Sequence, residues 1–272
     1  MGYLAPVYVY EAMKVPEKGV RWAWKALDLK FDLYDAHKFL SHFYLPGPSY
    51  YHVLQFVHQY MKPANYLEIG VSGGDSIGFL LPETRGVGID PSPFQGEPFG
   101  SNVTIYQVTS DEYFASGKIS TDLGGRSIDL AFIDGMHLFE YALRDFINIE
   151  KHGSKQTVVL VHDCYPLDKI TSLRNCITQF WSGDVWKIIL CLKKYRPELN
   201  INVIKTKPTG LGVITGLNPN NTLLGENMEK IIQEYENLQY SVVSRNKDRK
   251  LNGVENTSEM VRKLIDRRND KK

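Results

Sequence analysis

The stretch YLEIGVSGGDSIGFL, residues 66–80, runs from an apolar strand pattern straight into glycines, and the fold hangs on how that junction is read. Glycine is wanted where the backbone must take a positive φ or let another group come close. In an open parallel sheet, ligands bind at the carboxyl ends of the strands, where the winding reverses. The turn here carries one carboxylate, Glu68, just before its glycines. A dinucleotide fingerprint would put glycine at 70, 72 and 75, but those positions hold Gly70, Ser72 and Asp75. A pyrophosphate would also sit poorly beside Glu68 and Asp75, so the expected ligand is a nucleoside carrying positive charge. The next strand ends in Asp90, 20 residues after Gly70, where a carboxylate can accept hydrogen bonds from both hydroxyls of a ribose. Spacing alone does not separate the nucleoside cofactors, and a plain strand-to-helix connection reads the same way.

Outward from this junction, strands and helices alternate. Strand-like runs cover 66–70, 86–90, 103–108, 128–134 and 157–163, several of them apolar on both faces, as a parallel sheet covered by helices requires. Residues 76–81 read as a short helix, and LFEYALRDFINIEKHG as an amphipathic one stopped by Gly153. The pattern YYHVLQFVHQYM from Tyr50 puts Val53, Phe56, Val57 and Tyr60 on one helical face. GDVWKIILCLKKYRP, 183–197, reads as the last large helix, and INVIKT with GLGVITGL as a terminal antiparallel hairpin. The fold expected is α/β: a Rossmann-like, doubly wound, mostly parallel seven-stranded sheet ending in a reversed strand hairpin.

Three segments follow. Residues 1–48 form an aromatic-rich, irregular extension, a lid or subunit contact, that ends in the breaker LPGPS. Residues 49–220 form the ligand-binding domain, and 221–272 a C-terminal helix with a basic tail. That tail, ten Lys/Arg against five Asp/Glu from Ser241 on, is expected to be solvated beyond about Val243.

Composition bounds the function. Hydrophobic residues make up 43% and charged residues 23% of 272, and the net charge is +1, so no global field points to nucleic acid or an acidic membrane. Three cysteines without metal-finger spacing suit reduced thiols. With no secretory signal pattern and no membrane-length apolar run, a cytoplasmic protein without nucleic-acid or membrane partners is expected. A homo-oligomer is left open.

Two further stretches end long apolar strands on polar residues: FIDGMH, 132–137, and LVHD, 160–163. They bring Asp134, His137, His162 and Asp163 to the same sheet edge as the glycine turn. Each aspartate alone has a plain reading as an N-cap for a following helix. The remaining histidines, His37, His42, His52, His58 and His152, have no paired context and are read as packing or surface groups.

The pattern Glu68-x-Gly70-x-Ser72-Gly73-Gly74, followed by Gly86-x-Gly88-x-Asp90, resembles motifs I and II of class I S-adenosylmethionine-dependent methyltransferases over roughly residues 50–217. The resemblance implies that Gly70, Ser72 and Gly74 admit the methionine portion, with Glu68 near its amino group. It also implies that Asp90 holds the ribose and that Thr109, Ser110 and Asp111 lie near the adenine, with Asp134 also facing the cofactor. Within these enzymes, IDGxH with a later HD resembles the cephalosporin and macrolide-sugar type O-methyltransferases, and WSGDVWK, 181–187, is similar to sugar-modifying relatives. More distantly, Asp134, His162 and Asp163 fall where catechol O-methyltransferases place metal ligands, and His137 where they place a lysine base. His162 departs from that pattern, because Mg²⁺ prefers oxygen ligands.

Methyl transfer to a hydroxyl needs that oxygen held in line and relieved of its proton. Holding the reactants in line is worth roughly 7–11 kcal/mol, and a general base about 10²–10⁴-fold. The expected function is therefore O-methylation of a small-molecule hydroxyl, of the sugar or glycosylated-metabolite class. His137 is expected as base, with His162 next in line and Mg²⁺ or Mn²⁺ as an aid at Asp134, His162 and Asp163. Two rivals stand beside it. A non-catalytic nucleoside-binding protein would leave the second cluster idle, and a metal-dependent hydrolase would leave the glycine turn and Asp90 without a role.

Overall fold

The computed structural model describes residues 4, 6–7, 15–93 and 99–269. Most of the first fourteen residues of the N-terminal extension, and the last three of the basic tail, lie outside the described residues. Eight strands form one sheet: β1 (Asn65–Ile69), β2 (Arg85–Ile89), β3 (Val103–Tyr106), β4 (Leu130–Ile133), β5 (Val158–His162), β6 (Asn200–Ile204), β7 (Leu211–Thr215) and β8 (Gly253–Val254). Their order is β3-β2-β1-β4-β5-β7-β6-β8. β1 lies between β2 and β4, parallel to both, while β7 runs antiparallel to β5 and β6. The doubly wound sheet with its reversed β7 is as expected. The strand count is one higher, because β8 adds in parallel beside β6.

Helices of eight or more residues among the described ones are α1 (Pro16–Leu29), α2 (Tyr34–Tyr44), α3 (Tyr50–Met61), α4 (Phe139–His152), α5 (Lys187–Tyr195), α6 (Met228–Tyr235) and α7 (Ser258–Asp266). Strand alternation sends Leu67, Ile69, Val159 and Val161 to the face covered by α4 and α5. It sends Tyr66, Leu160 and Val158 to the face covered by α3 and α7. Glu68 and His162 share that second parity, which is why both point toward α3.

Four expectations need correction. From Pro16 on, the extension is helical: that residue starts α1, and Ala23, Ala26 and Leu27 bury one stripe of it. On α3 the buried face is Tyr50, Val53, Leu54, Val57 and His58. Phe56 and Tyr60 instead stack on each other at 5.9 Å beneath the Arg262 guanidinium, and the Tyr60 hydroxyl donates to Asp266. The helix expected after the glycines is a single 3₁₀ turn, Ile77–Phe79. The segment beyond Val243 is part of the core rather than a solvated tail. It contributes β8, and Leu251, Val261, Leu264 and Ile265 are buried. No helix among the described residues is long and apolar enough to cross a membrane.

Candidate active site

The glycine turn leaves β1 at the carboxyl edge of the sheet. Gly70 holds φ 89°, and a side chain there would collide with the backbone of Asp134, so the turn packs directly on the end of β4. Ser72 holds φ 45°. Its position suits glycine for backbone reasons and not for size alone. The outer side of the turn is open: a Cβ on Gly73 would meet only the Asp75 carboxylate, 3.9 Å away. Asp90, ending β2, braces the turn by accepting the Ser72 N–H at 2.8 Å on one oxygen and the Ser92 N–H at 2.7 Å on the other. Each oxygen keeps lone-pair capacity for a further donor.

Glu68 is fully buried. Its oxygens accept the Tyr66 hydroxyl at 2.6 Å and the Ser76 hydroxyl at 2.5 Å. Burial pushes its carboxyl up to about 8, outweighing both hydrogen bonds. Past β3, Thr109 caps the helix Ser110–Ala115 in a capping box with Glu112, and Asp111 pairs with Arg144 at 3.1 Å. Thr109 and Asp111 thus have local structural partners.

The four polar residues of the second constellation come together. Nδ1 of His162 lies 3.0 Å from Oδ1 of Asp134 and 3.5 Å from Oδ1 of Asp163. Nε2 of His137 lies 3.5 Å from Oδ1 of Asp134, and its Nδ1 3.0 Å from Oδ2 of Asp163. Neither aspartate caps a helix. The first N–H of α4, on Phe139, is capped by Asp184 instead, and the chain after Asp163 continues as loop. His137 and Asp163 both hold left-handed backbones, φ 54° and 61°. Such strain persists only where surrounding structure over-determines it, and it clusters at functional sites.

Charge follows from this packing. Burial disfavours charge on both imidazoles, but the two carboxylates outweigh it and raise His162, and His137 to about 10. Burial also works against charge on Asp134, yet the two histidines hold it well below the carboxylate range. Burial raises Asp163. Its Oδ2 is buried and has no aligned hydrogen-bond donor, despite the nearby His137 ring. One donor atom each from Asp134, His162 and Asp163 can be chosen within 4.8 Å of one another. An orphaned carboxylate oxygen beside a second carboxylate and an imidazole fits a divalent cation.

Partners from distant parts of the chain complete the cluster. Tyr50 of α3 stacks on His162 at 4.1 Å. The Thr209 hydroxyl donates to Asp163 and lies 3.3 Å from Nε2 of His162. Trp181 stacks on His137 at 5.4 Å. Sequence reading missed Tyr50 and Thr209, since neither stands in a motif. Trp181 was visible only as part of WSGDVWK. The other histidines stay away from the cluster: His58 is buried in packing, and His37 is buried against Asp168 at 3.3 Å.

Residues 67–164, which hold the glycine turn, Asp90 and the whole four-residue cluster, match the family described as a methyltransferase domain. That match to a methyltransferase domain spans 98 of the 272 residues. Among solved structures, the chain is similar to the O-methyltransferase TomG from Streptomyces achromogenes, involved in tomaymycin synthesis and determined in complex with SAM. Identity is 17%, covering 65% of this chain and 86% of that one, with a TM-score of 0.47. It is also similar to the O-methyltransferase from Bacillus cereus in complex with SAH, at 14% identity, covering 77% and 95%, with a TM-score of 0.43. No curated protein matches the chain.

Proposed function

We propose that this chain is a class I S-adenosylmethionine-dependent methyltransferase that moves a methyl group from S-adenosylmethionine to a hydroxyl oxygen of a small molecule. The observation that carries the proposal is the Asp134–His137–His162–Asp163 cluster, set one strand from the open glycine turn and packed against it through Gly70 and Asp134. On this reading the exposed backbone of Ser72 and Gly73 admits the methionine portion. Asp90 accepts the ribose hydroxyls with its remaining lone pairs, and Ser110 and Asp111 border the adenine. Glu68, buried behind the turn, holds the Tyr66 and Ser76 hydroxyls beneath the site for the methionine portion. We infer a sugar or glycosylated metabolite as acceptor from the motif resemblance alone.

The cluster's task is to receive the proton of the attacking hydroxyl. His137 is the exposed member, with 27% of its side chain open, and serves as base. Asp134 and Asp163 flank its two ring nitrogens at 3.5 and 3.0 Å. The same carboxylates hold it protonated near neutral pH, so it accepts a proton only when their charge is offset. A divalent cation held by Asp134, His162 and Asp163 would supply that offset and would acidify a hydroxyl bound to it. His162 favours Mn²⁺ over Mg²⁺ in this donor set.

The test is transfer of a labelled methyl from S-adenosylmethionine to a pool of small glycosides, followed by mass spectrometry. Label on oxygen, lost in His137→Ala, is expected. Label on nitrogen or carbon, or full transfer by the variant, would contradict the reading.

A further inference from the structure

The segment Trp181–Asp184 touches His137 in four independent ways. The Trp181 ring lies over the imidazole, 5.4 Å between centroids and 21° from parallel, and its carbonyl is 3.3 Å from Nδ1. Gly183 holds φ 57°, and any side chain on it would collide with the carbonyl of His137. The Asp184 N–H donates to that same carbonyl at 3.1 Å. One Asp184 oxygen then accepts the Phe139 N–H at 2.8 Å, two residues past His137.

Asp184 is itself anchored. It is buried, and its second oxygen accepts from Lys187 at 2.7 Å and Arg174 at 2.8 Å. The Trp181 indole N–H donates to the Leu173 carbonyl at 2.6 Å. Ser182, fully buried, is tied by its N–H to the Thr171 carbonyl. A left-handed backbone on a non-glycine residue costs on the order of 1–3 kcal/mol and needs such over-determination. The ring, the carbonyl and the next helical N–H of His137 are all gripped from this one rigid segment.

We propose that Trp181, Gly183 and Asp184 are positioning residues that hold the His137 imidazole at the angle and height at which it takes the acceptor's proton. The assignment rests on His137 acting as base. The segment contacts neither the glycine turn nor Asp90 in any interaction described above, so its effect falls on the chemical step and leaves cofactor binding alone. Displacing a reacting group by about 1 Å can cost roughly 10²-fold.

The test is Gly183→Ala, assayed with the best acceptor from the glycoside pool. The expected result is turnover lowered about 10²-fold, S-adenosylhomocysteine affinity within twofold of wild type, and a moved His137 ring resonance in the imidazole NMR spectrum. The double variant with His137→Ala should be no slower than His137→Ala alone, since both remove one function. Should Gly183→Ala fail to fold, Trp181→Leu removes the stack without touching the backbone and should show the same split. Unchanged turnover in a folded variant, or turnover and cofactor affinity falling together, would overturn the assignment. A His137→Ala variant with wild-type turnover would remove the base reading itself, and this inference with it.

Discussion

Nδ1 of His137 lies 3.0 Å from Oδ2 of Asp163, and both residues reach that contact from left-handed backbones. Two separate turns, one after β4 and one after β5, are thus bent to bring one imidazole and one carboxylate together. Capping would not need that geometry, because a capping side chain reaches N–H groups from an ordinary extended backbone.

If the contact serves deprotonation, His137→Ala should lower turnover by about 10²–10⁴-fold while cofactor affinity stays near wild type. Steady-state rates beside calorimetry on the same preparation separate the two effects. Equal losses in both would place His137 in cofactor binding instead.

If Asp134, His162 and Asp163 hold a cation, extensive chelation should abolish turnover, and added Mn²⁺ should restore it better than Mg²⁺. Asp163→Asn should raise the metal concentration needed for half-activity by at least tenfold. Full activity in chelator would leave the carboxylates to orient His137 alone.

Glu68 gives the stability of the protein a definite pH dependence. Its folded carboxyl, raised to about 8 from an ordinary 4.5, binds its proton more tightly than in the unfolded chain. That contribution is fully present below about pH 4.5 and is lost as pH rises toward 8, at up to about 1.4 kcal/mol per pH unit. Glu68→Gln should therefore flatten the decline in unfolding free energy between those values. A variant with the same slope as wild type would show that Glu68 is ionised in the folded protein.

The C-terminal segment should prove indispensable. Leu264 and Ile265 are buried against the α3 face of the sheet, so Leu264→Ala should cost about 2–5 kcal/mol in chemical denaturation. Removing everything after Val243 would delete four such side chains and one strand and uncover the core they pack on, a loss comparable with a total stability of about 5–15 kcal/mol. A well-folded truncated protein would return this segment to the role of a solvated tail.

The sheet was legible because Tyr66–Ile69, Leu130–Ile133 and Val158–His162 are apolar on both faces, which few other elements allow. The glycine turn and the two Asp/His strand ends were legible because each follows such a run. What escaped was whatever depends on φ or on distant contacts. The left-handed backbones of Ser72, His137 and Asp163 leave no trace in residue periodicity. Tyr50 and Thr209 reach His162 and Asp163 from segments 112 and 46 residues away in the chain. The last strand and α7 were obscured because the apolar residues that pack them on the core, Val254, Val261, Leu264 and Ile265, are spread among dense charges over short elements. The helices α1 and α2 were hidden by an aromatic content that reads as irregular, although Ala23, Ala26 and Leu27 sit at helical spacing.

The central claim is that the open turn after β1 admits the methionine portion of S-adenosylmethionine while Asp90 holds its ribose. Calorimetric titration of S-adenosylhomocysteine into the wild-type protein and into Asp90→Ala tests it most directly. The account predicts binding by the wild type, weakened in the variant by about 1.5–3 kcal/mol, the value of a hydrogen bond to a charged group. Equal affinity of the two proteins, or no binding by the wild type, would contradict it.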